Sequence, residues 1–182
     1  MISRGQAWAI LGFTQTYIWT KDPVFLDVAT SLSDYFLSRL EASNLPSPYV
    51  PLWDFDAPVP LSPSELPLRD SSAGMIAANG FLLLHQISTK EGKSSRFLSA
   101  AMKIANATVD LSLSREKAMF DPAATDLKVK DVLEGEHFDA ILKNATACRN
   151  EDSFRQYWDH GLVYADYYFL EFGNELLRMC LI

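Results

Sequence analysis

The chain has 182 residues, 48% of them hydrophobic and 21% charged, which fits one globular core and excludes a disordered segment. Its formal net charge of −7 argues against nucleic acid or an anionic membrane surface as a partner, because an excess of Asp and Glu is repelled by both. Cys148 and Cys180 are too few for a disulfide scaffold, and no apolar run reaches the roughly 18 to 20 residues that span a bilayer.

Ser3-Arg4-Gly5-Gln6 predicts a helix start with a reciprocal Ser–Gln cap. Ala7, Trp8, Ile10, Leu11, Phe13, Tyr17 and Ile18 then cover more than half of the helix, as an inner helix requires. This amphipathic opening does not read as a cleavable signal peptide. Lys21-Asp22-Pro23 ends the first helix and caps a second, whose Phe25, Leu26, Val28, Ala29, Leu32, Phe36 and Leu40 form one stripe, the mark of an outer helix. Residues 41–69 hold most of the prolines and no helical period, so a long loop is expected there, of a length that is often functional.

A third helix is expected from Asp70-Ser71-Ser72 to about Ile87, inner because Ala73, Gly74, Ala77, Ala78 and Gly80 permit close approach. A fourth, outer helix from about Ser94 to Leu113 buries Phe97, Leu98, Ala101, Ile104, Ala105 and Val109. Residues 115–160 read as irregular, with a short helix around Phe138 to Leu142, and Lys128-Val129-Lys130 beside Asp131 and Glu134 reads as a solvated face. A last inner helix runs from Leu162 to about Cys180. Sequential helical hairpins with scarcely any strand signal and no short repeat predict an all-α toroid or helical array.

Four blocks in order, Ser3-Arg4-Gly5-Gln6-Ala7-Trp8-Ala9-Ile10, Trp53-Asp54-Phe55-Asp56-Ala57-Pro58, Arg69-Asp70-Ser71-Ser72-Ala73 and Gly161-Leu162-Val163-Tyr164-Ala165-Asp166-Tyr167-Tyr168-Phe169, resemble the unsaturated glucuronyl hydrolases, glycoside hydrolase family 88. The last block looks most like fungal members. The resemblance implies an incomplete (α/α)6 barrel, with residues 1–182 the C-terminal part of a single barrel domain that supplies about five of twelve helices. It implies a glycoside hydrolase that releases 4,5-unsaturated uronic acid from lyase-generated oligosaccharides. An acid protonates the enol-ether double bond and water adds at the other carbon, unlike the usual displacement at the anomeric carbon. In the family the two key aspartates precede the first block, so no catalytic residue is expected here, no activity is expected of this chain alone, and a truncated gene model or fragment is expected. A polypeptide that completes a barrel with another chain is the alternative. The resemblance implies no cofactor, and self-association is expected through open barrel edges, with Trp8, Leu11 and Phe13 at one edge and Tyr167, Phe169 and Phe172 at the other contributing uncovered apolar surface.

Arg4 and Trp8 stand one turn apart on one helix face, and in the family this pair binds substrate. A guanidinium fork suits a uronate carboxylate and an indole suits a sugar ring; the residues alone favour an Arg that satisfies helix-end groups and a core Trp, and it is the resemblance that implies substrate binding. Trp53 in the long loop and His160 before the last helix are candidate subsite residues. Asp54 and Asp56 read as a capping or solvated pair rather than an acid/base pair, and Asp70 as a cap with Arg69 anchoring the loop. His85, His137 and His160 lack metal-ligand spacing, so no metal is expected. Asn106-Ala107-Thr108 and Asn144-Ala145-Thr146 are glycosylation sequons that leave the compartment, cytoplasmic or secreted, open. A non-catalytic helical interaction protein and a carbohydrate-binding remnant using Arg4, Trp8 and Trp53 are the competing readings.

Overall fold

The computed structural model describes residues 2–58, 67–115, 118–123, 125–133, 135, 137–150 and 152–182. The middle of the expected 41–69 loop and Glu134 lie outside the described residues. Among the described residues five helices follow one another: α1 (Ser3–Thr20), α2 (Pro23–Glu41), α3 (Ser71–Lys90), α4 (Phe97–Ser112) and α5 (Val163–Arg178). Two short strands, β1 (Ala118–Phe120) and β2 (Val129–Asp131), pair antiparallel between α4 and α5. The architecture is that of an incomplete (α/α)6 barrel, with α1, α3 and α5 as inner helices and α2 and α4 outside them.

α3 is the centre of the packing, because it touches α1 and α5 on its flanks and both outer helices. Every residue from Ser71 to Leu82 is buried. Small side chains make this approach feasible: a Cβ added at Gly80 would stand 2.8 Å from Ile10 Cγ2 and 3.2 Å from the Leu11 backbone nitrogen. Gly80→Ala is therefore expected to lower stability by about 1 to 3 kcal/mol through overpacking, despite alanine's better helix propensity. Urea unfolding checks it, and a variant as stable as the parent would show that α1 and α3 can separate freely. Phe81 extends the core sideways, with ring centroids 6.3 Å from Phe36 on α2 and 5.6 Å from Phe97 on α4.

The caps follow the sequence at two helices and depart from it at one. Asp22 accepts from the Val24 N–H at 3.0 Å and Asp70 from the Ser72 N–H at 3.2 Å. At α1 the expected Ser3–Gln6 box does not form. Ser3 is already helical, and both its N–H (3.0 Å) and its hydroxyl (3.2 Å) donate to the carbonyl of Trp53, while Gln6 donates to the Leu32 carbonyl. A distant carbonyl thus satisfies the orphan donors that a local cap would have met.

The helix expected at 138–142 is also absent. Its place is taken by bends, because the Asp166 carboxylate accepts the Ile141 and Leu142 N–H groups, each at 2.9 Å, and holds the segment against the first turn of α5. Beyond it, Ala145 pairs with His160 and Cys148 with Tyr157 as isolated antiparallel bridges, so 145–148 and 157–160 form the two arms of a hairpin-like flap. Arg69 anchors the long loop as expected, donating to the carbonyls of Pro46, Ser47 and Val50. No described helix is long and apolar enough to cross a membrane.

Candidate functional site

The inner helices begin at the same end of the molecule, and their first turns meet at Arg4. The guanidinium Nη1 donates to the Tyr164 hydroxyl (2.8 Å) and the Thr146 carbonyl (3.1 Å), and Nη2 donates to the Ala147 carbonyl (2.7 Å). Asp70 Oδ2, at the cap of α3, lies 3.4 Å from Nη1. The guanidinium carbon also sits 5.3 Å from the Tyr164 ring centroid. α1, α3, α5 and the 145–148 strand of the flap are therefore tied together by one side chain. These bonds leave the Nε–H and one Nη2 hydrogen without a described partner, and the side chain keeps 13% of its surface exposed.

One turn further along α1, the Trp8 ring meets the edge of Tyr168 on α5 at 5.2 Å between centroids, and Tyr167 stacks edge-on against Tyr168 at 4.9 Å. Trp8 remains 41% exposed, so its indole is open to solvent rather than sunk in the core. Two rungs, Arg4–Tyr164 and Trp8–Tyr168, thus bridge α1 and α5 across the face of α3. Trp53 is brought to the same end, since its carbonyl receives Ser3 and its N–H donates to Leu68 at 3.1 Å.

His160 stands one step away. Its backbone pairs with Ala145, its Nδ1–H donates to the Gly161 carbonyl at 2.7 Å, and its buried Nε2 has no partner. It lines a cavity of about 420 Å3 with His137, Asp139 and Asp166. Asp54 and Asp56 form a turn in which the Asp54 carboxylate accepts the Asp56 N–H at 2.8 Å, and Asp56 pairs with Arg39 at 2.8 Å. Neither aspartate faces Arg4 in any described contact.

Burial dominates the electrostatics of Asp70. Desolvation raises its carboxyl above the usual carboxylate range, opposed by the Arg4 charge, by the Ser72 hydroxyl and by the N–H groups of Ala73 and Thr146. A carboxyl whose folded-state pKa is raised contributes fully to stability below its unfolded-state pKa and loses that contribution as pH climbs through the folded-state value. Asp70→Asn does not titrate, so the parent should lose stability relative to this variant as pH rises through that window. Urea unfolding of both proteins at several pH values tests this, and a difference that stays flat would contradict it.

The sequence had singled out Arg4, Trp8, Trp53 and His160, and the fold places the first three around the N-terminal end of α1. It had not singled out Tyr164, Tyr168 or the counter-charge of Asp70 as parts of this end. The i, i+4 spacing of Tyr164 and Tyr168, which mirrors that of Arg4 and Trp8, was the available signal. Of the two sequons, Asn106 lies on the exposed side of α4 with Thr108 buried. The Asn144 amide is occupied, donating to Asp159 and accepting from Ser112.

No family model matches the sequence. The chain is 31% identical over 171 residues to the unsaturated glucuronyl hydrolase of Formosa agariphila, covering 93% of this chain and 34% of that protein. It is 35% identical over 109 residues to the unsaturated glucuronyl hydrolase of Bacillus sp. strain GL1, covering 59% of this chain and 26% of that protein. The crystal structure of the Bacillus sp. GL1 unsaturated glucuronyl hydrolase, responsible for the degradation of glycosaminoglycan, superposes with a TM-score of 0.65 at 27% identity, covering 98% of this chain and 39% of that one. The chain thus spans about a quarter to a third of the length of these two curated relatives. Along nearly its whole length it is similar, in sequence and in fold, to unsaturated glucuronyl hydrolases.

Proposed function

We propose that this chain is the C-terminal part of a single-domain (α/α)6 carbohydrate hydrolase, fungal-like in its last block, that removes 4,5-unsaturated uronic acid from lyase-generated oligosaccharides. The observation that carries the reading is the pairing of Arg4 with Trp8 where the inner helices start. A guanidinium edge with two uncommitted N–H groups matches the two oxygens of a uronate. The neighbouring indole, propped by Tyr168, offers an apolar face to the sugar ring. The positive ends of the α1, α3 and α5 dipoles converge here and favour an anion further. Trp53 is the outer member of the same subsite in this reading, and His160 serves the separate cavity that it lines with His137, Asp139 and Asp166.

Hydration of the substrate puts a proton on one carbon of the enol-ether double bond and water on the other, and the resulting hemiketal opens to release the remaining sugar. The residues of this chain bind and orient the uronate. The proton transfer is assigned to aspartates that precede the Ser3–Ile10 block in the family, and not to Asp54, Asp56 or Asp70. The isolated chain is accordingly expected to leave the ultraviolet absorbance of a 4,5-unsaturated glucuronyl disaccharide unchanged while binding it measurably by calorimetry. Turnover that disappears in Asp54→Asn or Asp56→Asn would relocate the chemistry, and absence of binding would remove the subsite.

A second reading, an interaction protein of helical shape, is favoured by one observation: α5 carries a solvent-facing apolar row of Val163, Tyr167, Leu170 and Leu177. In either reading this row is a surface for self-association.

A further inference from the structure

The Asp70 carboxylate serves α3 with one oxygen. Oδ1 accepts the N–H and the hydroxyl of Ser72 and so completes the cap. The other oxygen is fully buried and accepts no hydrogen bond of normal geometry, the Ala73 and Thr146 N–H groups acting on the carboxylate only from nearby, although a buried carboxylate oxygen ordinarily demands one. Its nearest cation is Arg4 Nη1, 3.4 Å away, and the Asp70 side chain is only 1% exposed against 13% for Arg4. A cap needs only one oxygen, and asparagine or serine would provide it without burying a charge. The charge of Asp70 therefore has a use other than starting α3.

On the reading of Arg4 as the uronate ligand, we propose that Asp70 is a positioning residue: its unbonded oxygen holds the Arg4 guanidinium by charge, so that the uncommitted Nε and Nη2 edge stays turned to the uronate. The groups around this carboxylate fit that role. Tyr164 fixes Nη1 from α5, the Thr146 and Ala147 carbonyls fix the two terminal nitrogens from the flap, and Asp70 supplies the only anion within ion-pair distance of Arg4 among the described residues. Carbonyls and a phenol restrain a guanidinium by direction, whereas a carboxylate also offsets its charge and keeps it from swinging out to water.

The test uses the full chain with Asp70→Asn and Ser72→Ala. Asparagine retains a capping oxygen and removes the charge, whereas Ser72→Ala weakens the cap and leaves the charge. Three quantities are read: the melting temperature, the rate at which phenylglyoxal modifies Arg4 as mapped by mass spectrometry, and the calorimetric affinity for a 4,5-unsaturated glucuronyl disaccharide. Asp70→Asn should melt no lower than the parent, expose Arg4 to faster modification and bind the disaccharide about tenfold more weakly. Ser72→Ala should melt lower with Arg4 reactivity and affinity unchanged.

Unchanged Arg4 reactivity and affinity in folded Asp70→Asn would overturn the proposal. If the parent chain does not bind the disaccharide, the functional reading falls, and Arg4 reactivity alone still decides whether Asp70 holds the guanidinium. If Asp70→Asn does not fold, Asp70→Ser, which also keeps a capping oxygen, is read with the same criteria.

Discussion

Arg4→Ala is expected to lower the folding stability of this chain by about 3 to 5 kcal/mol at neutral pH, the usual cost of removing one member of a buried ion pair. The loss has identifiable parts. Asp70 would be left fully buried without its counter-charge. The carbonyls of Thr146 and Ala147 and the hydroxyl of Tyr164 would lose their shared donor, which releases the flap from α1 and α5. Much of the loss should return in the double variant Arg4→Ala with Asp70→Asn, because the second change removes the stranded charge. Urea unfolding of the parent, both single variants and the double variant gives the cycle. A single Arg4→Ala variant within about 1 kcal/mol of the parent would show that water already shields Asp70.

The same substitution separates binding from stability when it is compared with Asp54→Ala. Under conditions where both variants remain folded, loss of a charge-assisted contact from Arg4 should weaken capture of an unsaturated uronate by roughly tenfold to more than a hundredfold. Asp54, whose carboxylate accepts the Asp56 N–H in its own turn, should have little effect. Equal losses for the two variants would remove the special role of Arg4.

The parts of this fold that were legible in the sequence are those governed by neighbours in the chain. The small residues of α3 marked it as the helix that others approach closely, and the single stripe of α2 marked it as an outer helix. Asp22 and Asp70 capped their helices because a cap is a local hydrogen bond. What could not be read depended on partners far away. The Ser3–Gln6 box lost to the Trp53 carbonyl, and the 138–142 segment could not coil because Asp166 takes its N–H groups.

The site divides along the same line. The Arg4–Trp8 pair lies within one helical turn and was visible as an i, i+4 spacing. Its partners Thr146 and Tyr164 stand 142 and 160 positions further along, and nothing in the local pattern tied them to Arg4. Asp70 is a case in which the local reading was correct and incomplete. One of its oxygens caps a helix as its sequence context predicts, and the other meets a cation that only the fold brings near.

The second large effect concerns association. The sequence reading had Leu11, Phe13, Phe169 and Phe172 contributing to uncovered surface beside Trp8 and Tyr167. The fold buries Leu11 and Phe172 but leaves Trp8 (41%) and Tyr167 (57%) exposed as expected, and on α5 it adds Val163 (81%), Leu170 (55%) and Leu177 (58%) to the outward face. Val163, Tyr167, Leu170 and Leu177 are spaced four, three and seven positions apart, so they line one face of the helix, opposite the side where Ala165, Phe172 and Leu176 pack into the core. Trp19, 87% exposed at the end of α1, adds a second apolar feature on another inner helix.

At about 25 cal/mol per Å2, covering a few hundred Å2 of such surface favours association by several kcal/mol before its entropic cost, and contiguous patches of that size are uncommon on monomers. Light scattering after size-exclusion chromatography should therefore show a mass that grows with protein concentration. Leu170→Lys combined with Leu177→Lys should return it to the monomer without lowering the melting temperature, because both side chains already face water and neither packs against the core. A parent chain that stays a monodisperse monomer across the same concentrations would show that the α5 row is a tolerated surface rather than a contact surface.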